Sequence, residues 1–334
     1  MKRIAINGLG RIGRLVVRQC LTNPPKNVIL AAANSPASVE DLAYLIKYDS
    51  VHGRAPFEIK TGPDYLEIGR RRIAISHEKD PEGLPWRSLD IDIVLECTGH
   101  FLKREDAAKH LAAGASKVII SAEGKNEDLM VVMGVNEKAY DPQKHHIISN
   151  ASCTTNCLAT TAKVLNDAFG IEYMMVTTIH AYTATQALID ESSPKHRRRG
   201  RAAALSLIPS STGAATATER VLPELKGKMS AIAVRVPVAN GSLTDITARL
   251  KRDATSEMVN EAFRTAAEGA MKGILGYTGD ELVSADIIGD EHSAIVDANA
   301  TKVIMNRVVK VLAWYDNEYG YARRLLDLAE YIAA

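Results

Sequence analysis

The sequence predicts an α/β chain of two domains: a doubly wound parallel sheet over residues 1–150, then an α+β domain with a mostly antiparallel or mixed sheet over residues 151–316. Three observations carry this prediction. Short β-rich runs alternate with helical ones through the first third of the chain. A glycine-rich turn joins the first such run to the first helical one. After Asn150 the strand-like runs lengthen and begin to alternate apolar with polar positions, the pattern of a sheet with one face on a core.

In chain order, Arg3–Asn7 reads as a strand, Arg11 to about Leu21 as a helix, and Val28–Ala33 as a second strand. A second helix opens near Ser38, where Ser38-x-x-Asp41 resembles a capping box. The apolar runs Ile91–Glu96 and Lys117–Ser121 flank one helical stretch, Arg104–Ala113, which ends at Gly114. Beyond residue 150, Tyr173–His180, Ala231–Pro237 and Ser242–Leu250 read as longer strands. In the second of these Ile232, Val234 and Val236 share a face with Val238, so Arg235 projects from the other. The last segment, 317–334, sets Tyr321, Leu325, Leu328 and Ile332 on one helical stripe, which requires a surface to dock on.

Composition excludes several classes of function. With 41 Lys+Arg against 40 Asp+Glu the formal net charge is +1, so no overall electrostatic attraction to nucleic acid or an anionic membrane is expected. The opening MKRIAINGLGRIGR lacks the apolar region and cleavage site of a secretory signal, and no run approaches the roughly 20 apolar residues of a membrane span. Cys20, Cys97, Cys153 and Cys157 are too sparse for a disulfide framework and have no metal-ligand spacing, so no metal is expected and a reducing cytoplasm is the simplest setting.

Gly8-Leu9-Gly10-Arg11-Ile12-Gly13 is a G-x-G-x-x-G turn between a strand and a helix, where glycines let a pyrophosphate approach backbone N–H groups. An acidic residue about 20 positions on would accept hydrogen bonds from the ribose 2′-OH of NAD. Here that place holds Asn34-Ser35-Pro36. Without a carboxylate to repel a 2′-phosphate, and with Asn34 and Ser35 able to donate to one, NADP is the expected cofactor, with NAD as the alternative.

Ser149-Asn150-Ala151-Ser152-Cys153-Thr154-Thr155-Asn156-Cys157 leads from a strand-like run into a helical pattern. Cys153 falls in the first turn, with Ser152 as the candidate N-cap, where the helix dipole and free N–H groups favour thiolate. Taken alone, it reads equally well as a small buried hydrophobe. Among nine histidines, His180 ends an apolar strand-like run at the mouth of a sheet, and a Cys153–His180 pair could hold an ion pair and shuttle a proton. The basic run Lys195–Arg201 lacks interleaved aromatics, so an RNA-binding role is disfavoured; a redox-sensing thiol at Cys153 is the other non-enzyme alternative.

Four stretches together resemble the phosphorylating glyceraldehyde-3-phosphate dehydrogenases: N-G-x-G-R-I-G-R at 7–14, K-Y-D-S-V-H-G-R at 47–54, S-N-A-S-C-T-T-N-C at 149–157 and W-Y-D-N-E-Y-G-Y at 314–321. The resemblance runs through the whole chain and implies oxidation of a phosphorylated aldehyde through a Cys153 thioester, with His180 as base and inorganic phosphate as co-substrate. It further implies that Thr183 and Arg235 hold the substrate phosphate, and that Ser152, Thr154, Arg199, Thr212 and Gly213 hold the attacking one. For the cofactor it implies Gly8, Gly10, Arg11, Ile12 and Gly13 at the pyrophosphate, Ser121 near the nicotinamide ribose and Asn317 on the carboxamide. Lys79 stands in place of a family arginine. The last helix would return to the cofactor domain, and the assembly would be a homotetramer.

Two departures from the common pattern bear on the cofactor. Asn34-Ser35 replaces Asn-Asp, and the loop 190–201 is one residue longer than usual, placing Ser192 where NADP-using relatives carry serine and leaving Arg199 and Arg198 alternatives for one role. Erythrose-4-phosphate dehydrogenase is the nearest rival, but it lacks the His180-Ala181-Tyr182-Thr183 pattern.

Overall fold

The computed structural model describes residues 1–334. They form two compact units, one comprising Met1–Met133, Glu137–Ser152 and Tyr321–Ala334, the other Gly134–Asn136 and Cys153–Gly320.

The first unit is built on a nine-stranded sheet. Its order is Leu129–Met130, Ile147–Ser149, Lys117–Ile120, Ile93–Glu96, Lys2–Asn7, Val28–Asn34, Arg71–Ser76, Tyr65–Ile68 and Ile59–Gly62. The first seven run parallel, as the alternation of strands and helices predicts, and the last two join antiparallel at the edge. Lys2–Asn7 pairs with Val28–Asn34 on one side and Ile93–Glu96 on the other, so the strand order reverses at its carboxyl end, where open α/β sheets bind ligands. Ile4, Ile6, Val94, Leu95, Val118 and Ile119 are all fully buried, the continuous apolar pattern of strands covered on both faces.

Helix Arg11–Thr22 follows the glycine turn, and helix Val39–Lys47 starts where Ser38 Oγ accepts from Asp41 N at 3.1 Å. The single helix expected over 104–113 is instead two one-turn helices, Arg104–Ala107 and Lys109–Ala112. Three-residue bonds such as Asp106 N to Lys103 O and Leu111 N to Ala108 O tighten the turns around Ala108. The terminal helix Tyr319–Ala333 buries Tyr321, Leu325 and Leu328. Its first-unit portion is tied down by Tyr321 OH donating to Ala151 O at 2.8 Å and by Glu330 accepting from the Lys26 and Asn27 backbone.

The second unit carries a mixed eight-stranded sheet. Ile208–Ser210, Met229–Val236, Ile171–Ala181, Ser242–Leu250, Val308–Tyr315, Ala294–Asp297 and Leu275–Thr278 lie in that order, and Lys302–Ile304 pairs with Val308–Tyr315. Helix Cys153–Phe169 packs on this sheet, with one long side of it entirely buried. The alternation in Ala231–Val236 is real, but the apolar stripe is not the covered one: Ile232 is 55% exposed while Ala233 is buried. Tyr173 and Met175 on the neighbouring strand are also exposed, leaving an apolar open sheet face.

Candidate active site

In the first unit the glycine turn divides its labour by position. Gly8 has φ +97°, and a Cβ there would stand 2.7 Å from Thr98 N; a Cβ on Gly13 would stand 2.1 Å from Gly8 O. Those two are steric necessities of the fold. Gly10 faces open space, immediately before the start of helix Arg11–Thr22, and a helix start is where a pyrophosphate finds backbone N–H groups. Beneath the turn lies Glu96, fully buried, accepting from Asn7 Nδ2 at 2.6 Å and Thr98 N at 2.8 Å. Trp86 Nε1 donates to His110 Nδ1 at 3.0 Å, which leaves the His110 proton on Nε2 for Glu96, 3.0 Å away.

Arg11 places its guanidinium on Asp49 in a two-pronged ion pair at 2.6 and 3.1 Å, so its side chain is committed to that carboxylate; Ile12 beside it is half-buried. Burial pushes the Asp49 carboxyl up, but the His52 N–H, the Arg11 guanidinium and the Val51 N–H outweigh it and hold the group at about 2. A folded value below the unfolded 3.8 means that Asp49 stabilises the fold above about pH 4 and ceases to as pH falls toward 2. Asp49→Asn should therefore lower stability at pH 7 by about 1–3 kcal/mol. Denaturant titrations of both proteins at pH 7 and near pH 2 check this: the difference should shrink in acid.

At the ribose end the structure revises one expectation. Both N–H groups of the buried Asn34 are engaged, with Asn7 Oδ1 and Glu78 O at 2.8 Å, and its Oδ1 accepts from Glu78 N at 2.9 Å. Asn34 is a bracket holding the two strand ends together and has no donor left for a phosphate. Ser35 keeps its hydroxyl proton available, since Oγ only accepts from Ala37 N at 3.4 Å. Exposed His77 donates to Ser35 O through Nδ1 at 2.8 Å, and Lys79 is exposed two residues on. Ser121 bonds the Cys97 sulfur, and burial pushes the Cys97 thiol up to about 12.

In the second unit Cys153 opens helix Cys153–Phe169 and retains partial exposure, whereas Cys157 one turn on is buried, with its thiol pushed up to about 12 by burial. His180 stands one residue before the end of strand Ile171–Ala181, in register with Arg235 on the parallel neighbour. The Cys153 Sγ to His180 Nε2 distance is 3.5 Å. On the far side of the ring, Nδ1 lies 2.7 Å from Ala181 O, which only accepts, and 2.7 Å from Arg235 Nη1, which only donates. One nitrogen cannot satisfy both, so each neutral tautomer leaves one of these contacts unpaired. Arg235 Nε is itself buried without a partner.

Electrostatics at the pair pull in two directions. Burial holds the Cys153 thiol above its ordinary value, against the Arg235 charge and N–H groups at the helix start, which favour thiolate. Burial first, and then Arg235, lower His180 to about 3. The ion pair expected from the sequence is thus opposed for either group charging alone. Moving the proton from Sγ to Nε2 charges both together at 3.5 Å and leaves the net charge unchanged. Arg235 favours the sulfur's charge throughout.

Tyr315 was not singled out by any local pattern, although it belongs to the W-Y-D-N stretch. Its fully buried hydroxyl bonds Thr154 Oγ1 at 3.0 Å and Thr178 Oγ1 at 2.7 Å, and its ring meets the His180 ring edge-on at 5.9 Å. It ties the helix start to the strand that carries the imidazole. Arg199 donates to Ser210 Oγ at 2.8 Å and lies near enough to oppose the charge of Arg235. Two guanidinium groups in one neighbourhood, neither paired with a carboxylate, leave positive charge that an anion would compensate. Gly213 precedes helix Ala214–Val221, Thr212 Oγ1 accepts from Ala214 N at 3.2 Å, and Thr183 Oγ1 lies 2.9 Å from Thr185 Oγ1. Ser152 donates to Glu123 at 3.0 Å, Ser192 is exposed, and Asn317 Oδ1 accepts from Ser242 Oγ at 2.7 Å.

Comparison with known families now decides the assignment. Residues 2–104 match the NAD-binding domain of glyceraldehyde 3-phosphate dehydrogenase, and residues 152–317 match that enzyme's C-terminal domain. The chain is 53% identical to glyceraldehyde-3-phosphate dehydrogenase of Geobacillus stearothermophilus over 332 residues, covering 99% of this chain and 98% of the relative. It is 51% identical to glyceraldehyde-3-phosphate dehydrogenase 2 of Bacillus subtilis, over 99% and 97% of the two chains. The chain belongs to the glyceraldehyde-3-phosphate dehydrogenase family. The fold of that family, a Rossmann domain and a mixed-sheet catalytic domain, is what both units display. No cluster of His, Cys, Asp or Glu in the structure is arranged to hold a metal ion, and no helix is long and apolar enough to cross a membrane.

Proposed function

We propose that this chain catalyses the phosphorylating oxidation of glyceraldehyde 3-phosphate to 1,3-bisphosphoglycerate, and the reverse. The observation that carries the reading is the Cys153 sulfur 3.5 Å from His180 Nε2 at a helix start, beside Arg235, whose Nε is buried without a partner. Cys153 Sγ bonds to the aldehyde carbon while its proton passes through Nε2 to the carbonyl oxygen. The Cys153 N–H and the imidazole stabilise the developing oxyanion. The nicotinamide of the bound cofactor supplies the hydride acceptor. As the C–H bond breaks, Nε2 takes the hydroxyl proton of the Cys153 adduct, which becomes a thioester. Phosphate held by Ser152, Thr154, Arg199, Thr212 and Gly213 then attacks, the C–S bond breaks, and the acyl phosphate leaves the free thiol. A substrate phosphate on Thr183 and Arg235 draws the guanidinium from Nδ1, which then donates to Ala181 O and leaves Nε2 as the base.

The open space at Gly10, with Arg11 and Ile12 beyond it, supports a dinucleotide whose pyrophosphate meets the helix start; Ser121 is assigned to the nicotinamide ribose and Asn317 to the carboxamide, each on the family resemblance alone. We assign NADP as the preferred cofactor, through Ser35, Lys79 and Ser192. Ser35→Asp tests that assignment: a carboxylate at the 2′-phosphate should raise KM for NADP by about tenfold or more and leave KM for NAD unchanged or lower. An equal effect on both would remove Ser35 from the selection. The reaction itself is tested by following reduced nicotinamide with glyceraldehyde 3-phosphate, phosphate and either cofactor. Erythrose 4-phosphate oxidised more efficiently under the same conditions would favour the four-carbon reading instead. The exposed Tyr173, Met175 and Ile232 on one open sheet face support a homotetramer, which a light-scattering mass of four chains would bear out and a mass of one chain would refute.

A further inference from the structure

Four strand ends of the second unit meet at one edge of its sheet: Val236, Ala181, the start of Ser242–Leu250, and Tyr315. Ser242 occupies the middle of that edge, fully buried and paired with Tyr315. Its hydroxyl accepts from Ala181 N at 3.1 Å and donates to Asn317 Oδ1 at 2.7 Å. Ala181 N can only donate, so the single Ser242 proton is free for Asn317. An Asn317 amide turned the other way would present two more donors and leave that proton without an acceptor. The hydroxyl therefore fixes the amide: Oδ1 inward, Nδ2 outward, and Nδ2 makes no hydrogen bond within the protein.

The backbone beside it is clamped as well. Asp316 accepts from Asn240 Nδ2, Glu318 N and Tyr319 N on Oδ1, and from Gly289 N on Oδ2, at 2.7 to 2.8 Å. Asn317 is thus held at both main chain and side chain, with one donor group left over for a ligand. The same hydroxyl is bonded to the peptide N–H that follows His180, so it joins the strand carrying the base to the residue facing the cofactor.

We propose that Ser242 is a positioning residue for the nicotinamide carboxamide: by fixing Oδ1 of Asn317 it keeps Nδ2 turned toward the carboxamide oxygen, and so sets which ring face is offered. This rests on Asn317 being the residue that meets the carboxamide. Ser242→Ala, Ser242→Thr and Asn317→Ala should be titrated calorimetrically with the oxidised dinucleotide and with the corresponding ADP-ribose, which lacks nicotinamide. Ser242→Ala should weaken the dinucleotide about tenfold while ADP-ribose affinity stays within about twofold. Deuterium delivered from a C1-deuterated aldehyde should go to one face of the ring in the wild type and leak to the other in Ser242→Ala, with Ser242→Thr restoring selectivity. The combined Ser242→Ala, Asn317→Ala variant should bind no more weakly than Asn317→Ala alone. Equal losses for dinucleotide and ADP-ribose, or no loss for either, would overturn the role of Ser242. An Asn317→Ala variant that binds the dinucleotide normally would instead overturn the role of Asn317 on which it depends.

Discussion

Replacing Cys153 by serine should abolish phosphate-dependent aldehyde oxidation, with a fall of roughly four orders of magnitude or more, while dinucleotide affinity stays within about twofold. The site is arranged to make a thiol nucleophilic. Arg235 and the N–H groups of the helix start favour charge on Sγ, and Nε2 stands 3.5 Å away to receive its proton. A hydroxyl ionises several units higher, beyond what these groups compensate, and its ester would resist attack by phosphate more than a thioester does. Steady-state rates and a dinucleotide titration on the same preparation check both halves. Retained oxidation would remove Cys153 from the chemistry, and lost affinity would mean that the substitution had disturbed the fold.

His180→Asn should lower kcat by about 10²–10⁴ with a much smaller effect on the KM for aldehyde. Asparagine can still donate to an oxyanion but cannot carry a proton from the Cys153 adduct to solvent. The residual rate should climb with pH as hydroxide takes over that task, where the wild type levels off. A pH–rate profile that keeps the wild-type shape in the variant would mean that another group is the base.

Much of this site was legible because its chemistry is encoded locally. The glycine turn and the cysteine at a helix start each span under ten consecutive residues, and their spacing alone dictates which N–H groups are free. What escaped depends on register between distant strands. Ser242 meets Asn317 across 75 positions and Arg235 meets His180 across 55, by pairings that no local pattern prescribes. Asn34 misled for the same reason: its donors are taken by Asn7 and Glu78, the latter 44 residues away. The Ile232 stripe misled differently, since alternation separates two faces of a strand without saying which one a helix covers. Tyr315 lies within the W-Y-D-N-E-Y-G-Y stretch, but its two threonine partners sit 161 and 137 positions earlier.

If Cys153 carries the acyl group between oxidation and phosphorolysis, a single-turnover experiment without phosphate will trap it there. Enzyme mixed with glyceraldehyde 3-phosphate and oxidised cofactor should release a burst of reduced nicotinamide approaching one equivalent per active chain and then slow sharply. Mass spectrometry should find the phosphoglyceroyl group on the Cys153 peptide, and added phosphate should discharge it and restart turnover. A burst with the acyl group on any other residue, or steady turnover that never needs phosphate, would rule out Cys153 as the acyl carrier.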